Sequence, residues 1–261
     1  MNKNDTSVMN GTSGSFPEIR EVQAGVILDW LHSGLEDAHR GGWVSLFYGF
    51  VFTVTGLFIH IVYAEHYWLL AGLTTGFFLL GPFLAIGLYD LSRRMESGET
   101  PALIPTLTAW RTNLFNIFLF ALLLLAILLI WTLISLNIFS LFFNGALPTF
   151  TDVAISVFTL KQPIFALIYF SVGGLFAVFV YAISVVAIPL MLDCKVNAIH
   201  AALVSLRTCA RNPVVMLLWA LCIVVLVGVG LATSFLGLFL TMPIVGHASW
   251  HVYKDLIKTD Q

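Results

Sequence analysis

Apolar stretches of about twenty residues alternate with short polar connections along most of the chain, and that is the length an α-helix needs to cross ~30 Å of hydrocarbon. Six crossings are drawn, at 43–62, 67–91, 114–136, 163–192, 213–232 and 235–253. The first two are joined only by 63–66, and the last two by little more than Thr233 and Ser234. Each pair should therefore form a tight antiparallel hairpin. The long connection 137–162 separates the third span from the fourth.

Upstream of the spans the pattern changes twice. Residues 1–20 are rich in Ser, Thr, Asn and Gly, lack apolar periodicity and are expected to be a disordered tail. Over 21–42, Val22, Val26, Ile27, Trp30, Leu31 and Leu35 recur at helical spacing, while Glu21, Asp29, Glu36 and Asp37 take other faces. This predicts an amphipathic helix against the membrane or the bundle. The spans occupy 43–253, and 254–261 is a second tail.

Two connections carry a similar pattern. Thr100-Pro101 reads as a helix start before a stripe of Leu103, Ile104, Leu107 and Trp110. In 196–211, Val196, Ile199, Leu203 and Leu206 line one face, and His200, Ser205, Arg207 and Arg211 lie away from it. Asn212-Pro213 would cap and open the fifth span.

Basic residues set the orientation, because cytoplasmic flanks retain Lys and Arg. Eleven of the twelve fall on one side of the six-span scheme, and only Lys161 falls on the other. Both termini are therefore expected in the cytoplasm. Composition agrees with burial in lipid: 59% of the 261 residues are hydrophobic, 10% are charged, and the mean hydropathy is +0.95. The net charge of −2 gives no reason to expect nucleic acid as a partner. Cys194, Cys209 and Cys222 show no pairing pattern and read as free thiols.

The spans also hold a faint echo. Pro82 precedes Arg93 by eleven residues as Pro243 precedes Lys254, and Tyr89 and Trp250 each lie seven beyond their proline. Three matching positions do not by themselves establish a duplication.

The fragments Trp30-Leu31-His32-Ser33-Gly34, Ser45-Leu46-Phe47-Tyr48-Gly49, Gly81-Pro82-Phe83-Leu84-Ala85, Ser92-Arg93-Arg94-Met95-Glu96-Ser97-Gly98-Glu99 and Gly246-His247-Ala248-Ser249-Trp250-His251-Val252-Tyr253 follow one another in an order that resembles a bacterial family of predicted integral membrane proteins, domain of unknown function 2189. The resemblance covers most of the chain after residue 20. It implies a multi-pass protein of the bacterial inner membrane and assigns no activity. Some relatives carry the label cytochrome c oxidase subunit I, which the histidines of this chain do not support.

The chemistry available is narrow. Apart from Asp90 at a helix end, the six spans hold no Asp, Glu, Lys or Arg, the residues that proton relays and ion-coupled carriers place in the membrane. Gly81-Pro82, Gly173-Gly174 and Pro189 are candidate helix breaks, though such residues more often serve packing. Gly72 and Gly76 form a GxxxG pair. No GxSxG, HExxH or P-loop motif is present. Asp193 and Cys194 at the end of the fourth span read as structural.

Candidate functional positions are Asp90, Arg93 and Arg94, the densest charge cluster, and His247 and His251, which share a helical face four residues apart. The cluster reads first as a basic rim and second as a headgroup site. The two histidines lack further ligands for zinc or haem, and hydrogen bonding beside Trp250 and Tyr253 is the adopted role.

The sequence thus indicates an all-α polytopic membrane bundle of about six transmembrane helices with cytoplasmic amphipathic helices. Its function reads as a non-enzymatic accessory, scaffold or lipid-associated component, with no catalytic residue, cofactor or metal assigned. Membrane lipids are the expected partners, with a membrane protein or a second copy also possible and no nucleic acid. The alternatives are a transporter or channel for a neutral or amphiphilic solute and a haem-binding redox subunit.

Overall fold

The computed structural model describes residues 17–65, 84–143, 159 and 161–258, which form an α-helical bundle closed by a small β-ribbon. In chain order the elements are β1 (Glu18–Ile19), α1 (Val26–Gly41), α2 (Trp43–Glu65), α3 (84–96), α4 (Leu103–Leu107), a 3-10 turn (Ala109–Asn113) and α5 (Leu114–Phe142). There follow α6 (Pro163–Ser184), α7 (Ala187–Cys194), α8 (Ala198–Arg211), α9 (Pro213–Ala232), α10 (Leu238–Leu256) and β2 (Ile257–Lys258). The strands pair antiparallel, with Glu18 opposite Lys258 and Ile19 opposite Ile257. The two ends of the described chain therefore meet on one face of the bundle, as an even number of crossings requires. The strand at Glu18 lies within the stretch read as a tail, and residues 1–16 fall outside the described residues.

Three segments are long and apolar enough to span a bilayer: Ala109–Phe142, Pro163–Cys194 and Pro213–Ala232. A fourth candidate is α1 with α2, which passes only as a pair and bends by 104° at the break. The described residues thus supply three such helices, or four with the bent pair, against the six drawn from sequence. Most of the second span lies outside them, with Gly72, Gly76, Gly81 and Pro82; α3 holds its C-terminal end. Helix α10 misses the criterion because it carries polar residues through its second half, His247 and Ser249 buried and His251, Lys254 and Asp255 half-buried. The 63–66 turn is helical as far as Glu65, and α5 takes up 137–142 of the expected long connection. The last hairpin is longer than expected: residues 233–237 form the turn, with Ser234 and Phe235 at positive φ.

Prolines explain two local departures. The fourth span is broken at Val185–Val186, not at Gly173-Gly174. Pro189 has no N–H to give the carbonyl of Val185 four residues earlier, so the helix cannot continue through that point. Gly173 is instead a packing position, where a Cβ would lie 3.1 Å from the ring of Trp131. Pro243 similarly frees the carbonyl of Phe239 inside α10, and that oxygen points at Gly49 of α2, 2.0 Å from where a Cβ would be. The missing side chain lets the two backbones meet, as small residues do between membrane helices.

Helices α1 and α8 both precede a membrane-length helix and divide their surface in the same way. In α1 the bundle side is Ile27, Trp30, Gly34, Asp37 and Gly41, the exposed apolar flank is Leu28 and Leu35, and the polar flank is Asp29, Glu36 and Arg40. In α8, at a spacing of 171 residues, the bundle side is Ala198, Ala201, Ser205, Thr208 and Asn212. Its exposed apolar flank is Ile199, Leu203 and Leu206, and its polar flank ends in Arg207 and Arg211. Four buried positions within the two helices and the Gly41–Asn212 pair at their ends coincide, while Val204, also buried, stands at the place of half-buried Ser33.

The predicted helix at 196–211 is present, capped by Asn197 Oδ1 accepting from His200 N at 2.8 Å. Its conspicuous apolar stripe faces outward, and Ser205 contacts the bundle. The Ser205 hydroxyl donates to Ala182 O at 2.8 Å and accepts from Val186 N at 3.2 Å, which satisfies the backbone at the α6–α7 break. Asn212 stands at the N-cap of α9, which opens at Pro213 as expected, but its side chain makes no capping bond. Its amide instead grips the N-terminal segment, accepting from Val22 N and donating to Arg20 O, both at 3.0 Å. Helix α4 begins at Leu103 behind Ala102, two residues after the expected Thr100-Pro101 start, and no side chain caps it.

Candidate functional site

Helix α1 approaches α10 closely because Gly34 has no side chain: a Cβ there would lie 2.6 Å from Ala248 Cβ and 2.8 Å from Ile244 O. This contact carries Asp37, one turn further on, into the bundle. The Ser92 hydroxyl of α3 donates to Asp37 Oδ2 at 2.6 Å, and His251 Nε2 of α10 reaches the same oxygen at 2.9 Å. Ser92 Oγ also lies 2.7 Å from His247 Nδ1, and Ser45 Oγ of α2 lies 2.9 Å from His247 Nε2. Four helices thus share one hydrogen-bonded chain.

Donor and acceptor capacity fixes its direction. Ser92 spends its proton on the carboxylate, so it accepts from His247 Nδ1–H. In the neutral imidazole this is the Nδ1–H form, and His247 Nε2 then accepts from the Ser45 hydroxyl. Burial pushes the Asp37 carboxyl up, but the bonds from His251 and Ser92 outweigh it and hold the group below its ordinary value. A serine donating to an imidazole is the arrangement that activates a nucleophile. Here Ser45, Ser92 and His247 are each 0% exposed, so no substrate reaches the hydroxyl.

Asp90, also fully buried, receives both arginines of the α3 cluster: Arg93 Nε at 3.1 Å and Arg94 Nε at 2.7 Å. Arg94 also donates to Glu99 at 2.8 Å, and its guanidinium is held above its ordinary value mainly by the bond to Asp90. The five residues singled out in the sequence thus divide between two networks on α3. His247 joins Asp37 through Ser92 and His251 joins it directly, while Asp90 pairs with Arg93 and Arg94. The histidines do hydrogen-bond, to Asp37, Ser92 and Ser45.

A third anchor involves Tyr253, whose hydroxyl donates to Asp193 Oδ2 at 2.8 Å and lies 3.6 Å from Cys194 Sγ. Trp30 Nε1 of α1 donates to Asp255 Oδ2 at 2.7 Å, and its ring meets Trp219 of α9 edge-on at 5.9 Å. All three cysteines are free thiols. Among the described residues no group of three His, Cys, Asp or Glu is placed to hold a metal ion.

A cleft of about 220 Å³ opens on the other side of α10. Phe52, Leu88, Ile188, Met242 and Val245 dominate its wall, with Tyr89, Tyr181, Ser184 and Ser249 as polar members. Neither Ser45 nor His247 lines it.

The membrane-length helices and the single-faced chain ends place this protein in a bilayer. Residues 69–193 match a family described as predicted integral membrane protein (DUF2189). This is the family that the sequence resemblance indicates. The matched DUF2189 segment contains Ser92 and the Asp90–Arg93–Arg94 cluster and ends at Asp193; Asp37, Ser45, His247 and His251 lie beyond it. No curated protein and no solved structure matches the chain.

Proposed function

We propose that the protein is a non-enzymatic, lipid-associated component of the bacterial inner membrane, with both described ends in the cytoplasm and α1 and α8 lying in the lipid–water boundary. The observation that carries this reading is the division of both helices into bundle, apolar and polar flanks. A helix in aqueous contact on its whole outer side would not keep Leu28 and Leu35, or Ile199, Leu203 and Leu206, in one exposed line. The 104° turn at Gly42, whose φ of +53° suits glycine, would lay α1 along the membrane plane if α2 crosses it. Trp43, 65% exposed at that corner, suits the interfacial belt.

Depth-dependent quenching tests this placement. Fluorophores on single cysteines at positions 35 and 203 should be quenched by brominated acyl chains, and those at 36 and 207 by aqueous iodide. The opposite assignment, or iodide quenching at all four, would sink the interfacial reading. Orientation is tested separately: a cysteine at 98 should resist a membrane-impermeant reagent in sealed cells, and one at 146 should react.

The cleft beside Tyr89 and Tyr181 favours one second reading, a carrier for a neutral amphiphile, because its wall is apolar with a few hydroxyls. Protein-dependent transfer of such a molecule across reconstituted vesicles would promote that reading over the first.

A further inference from the structure

One kind of contact recurs three times along the chain. Gly34 of α1 abuts Ala248 of α10, where an added Cβ would lie 2.6 Å from that of the alanine. Ser205 of α8 bonds to Ala182 O and Val186 N at the α6–α7 break. Thr106 of α4 accepts from the Tyr48 hydroxyl at 2.8 Å, and that hydroxyl occupies the space where a side chain of Gly87 in α3 would be. From Thr106 to Ser205 is 99 residues, and so it is from Gly87 to Val186. Each amphipathic segment thus docks at one register on the unit before it, α10 coming before α1, and the three contacts close a cycle. We infer that the protein is a ring of three like units, α1–α3, α4–α7 and α8–α10, and that α4 with its 3-10 turn is a third segment lying against the acyl chains of the inner leaflet. The lipid part of this inference rests on the interfacial placement of α1 and α8.

Further registers agree. Tyr48, Phe120 and Trp219, spaced by 72 and 99 residues on α2, α5 and α9, are all aromatic and at most 2% exposed. Ala85, Ser184 and Gly246 each stand two residues before Gly87, Val186 and Ala248, and all three line the apolar cleft, so the second helices of the units face one centre. Where the first long helices begin, Asn113 and Asn212 hold the backbone that enters the next unit. Asn113 Nδ2 donates to Val196 O at 2.9 Å ahead of α8, as Asn212 Nδ2 donates to Arg20 O at 3.0 Å ahead of α1. The same spacings set Leu107 level with Leu35 and Leu206, and Ile104 level with Leu203, and all five side chains are exposed. The line from Ile104 and Leu107 runs on into Leu114, Phe115 and Phe118 on the outer side of a membrane-length helix. That continuity commits the face to acyl chains. Arg111 lies over the Trp110 ring at 5.4 Å beside it, a pairing suited to the headgroup level.

Two measurements on the full-length protein in vesicles test the inference. Fluorophores on single cysteines at 104 and 107 should be quenched by brominated acyl chains, and one at 112, level with exposed Arg40 and Arg211, by aqueous iodide. Iodide quenching at 107 beside acyl-chain quenching at 35 and 203 would overturn the third segment and leave the interfacial reading standing. Iodide quenching at 35, 107 and 203 alike would sink both. Protection of 107 from both quenchers would mean that protein covers the face, and would overturn the third segment too. Hydrogen exchange tests the ring itself. Asn113→Ala should raise amide exchange about fivefold or more over the first turns of α8, and Asn212→Ala over those of α1, at ~1 kcal/mol for each lost hydrogen bond. Asn113→Ser and Asn212→Ser, which keep a hydroxyl donor, should fall between wild type and alanine and guard against a general loss of folding. Exchange that rises only beside the substituted residue, in the same helix for both variants, or in neither would overturn the ring of three units.

Discussion

Replacing Gly49 with alanine should destabilise the bundle by about 3 kcal/mol, at the upper end of the cost of overpacking, with larger residues abolishing folding. The added Cβ would sit 2.0 Å from the carbonyl oxygen of Phe239, and the obstructing atom is backbone, which cannot rotate away. Separating α2 from α10 would also expose the oxygen that Pro243 has already left without its helical donor. Gly174→Ala is the control: nothing lies within 4 Å of its added Cβ, and alanine is the better helix former. Thermal unfolding in one detergent should show a large fall in midpoint for Gly49→Ala and no fall for Gly174→Ala. Equal midpoints would mean that α2 and α10 do not meet at this point.

The second large effect belongs to Asp37. Its carboxylate accepts from Ser92 and His251 while 5% exposed, and hydrogen bonds to a charged group contribute ~1.5–3 kcal/mol each. Asp37→Ala should therefore cost about 3 kcal/mol or more and leave the Ser92 and His247 chain without its terminal acceptor. Asp37→Asn, which keeps one oxygen, should cost less. The bonds hold the folded-state pKa below the unfolded value, so their contribution is complete above the ordinary carboxylate range. It is lost as pH falls below that range, through the depressed folded pKa. Unfolding midpoints followed downward from neutral pH should converge for wild type and Asp37→Ala in acid. A constant gap between them would show that the carboxylate charge is not what Asp37 contributes.

Asp37 also marks the limit of what the sequence makes legible. In linear order it stands beside Glu36 as one more charge on an amphipathic helix, and its two partners lie 55 and 214 residues away. The available signal was its register with Ile27, Trp30 and Gly34, which places it on the side that a bulky apolar residue would normally fill. The shared face of His247 and His251 was readable because it depends only on helical spacing. The outward turn of Ile199, Leu203 and Leu206 was half readable. Periodicity finds an apolar stripe, but in lipid such a stripe can face the solvent, and small residues such as Ala198, Ala201 and Ser205 make the close contacts instead. The break at Val185 lies four residues before Pro189, one of the candidate positions, because a proline disturbs the carbonyl one turn before it, not its own position.

The docking of α1 onto α10 has a temporal side. Residues 26–41 are translated roughly two hundred residues before residues 238–256, a delay on the order of 10–40 s at common elongation rates. Throughout that interval Gly34 has no Ala248 to rest on, Asp37 lacks His251, and Ile19 lacks the strand partner supplied by Ile257. On the proposed interfacial placement, the first amphipathic segment waits at the membrane surface, held by its own Leu28 and Leu35, until the emerging far end of the polypeptide arrives to fasten it.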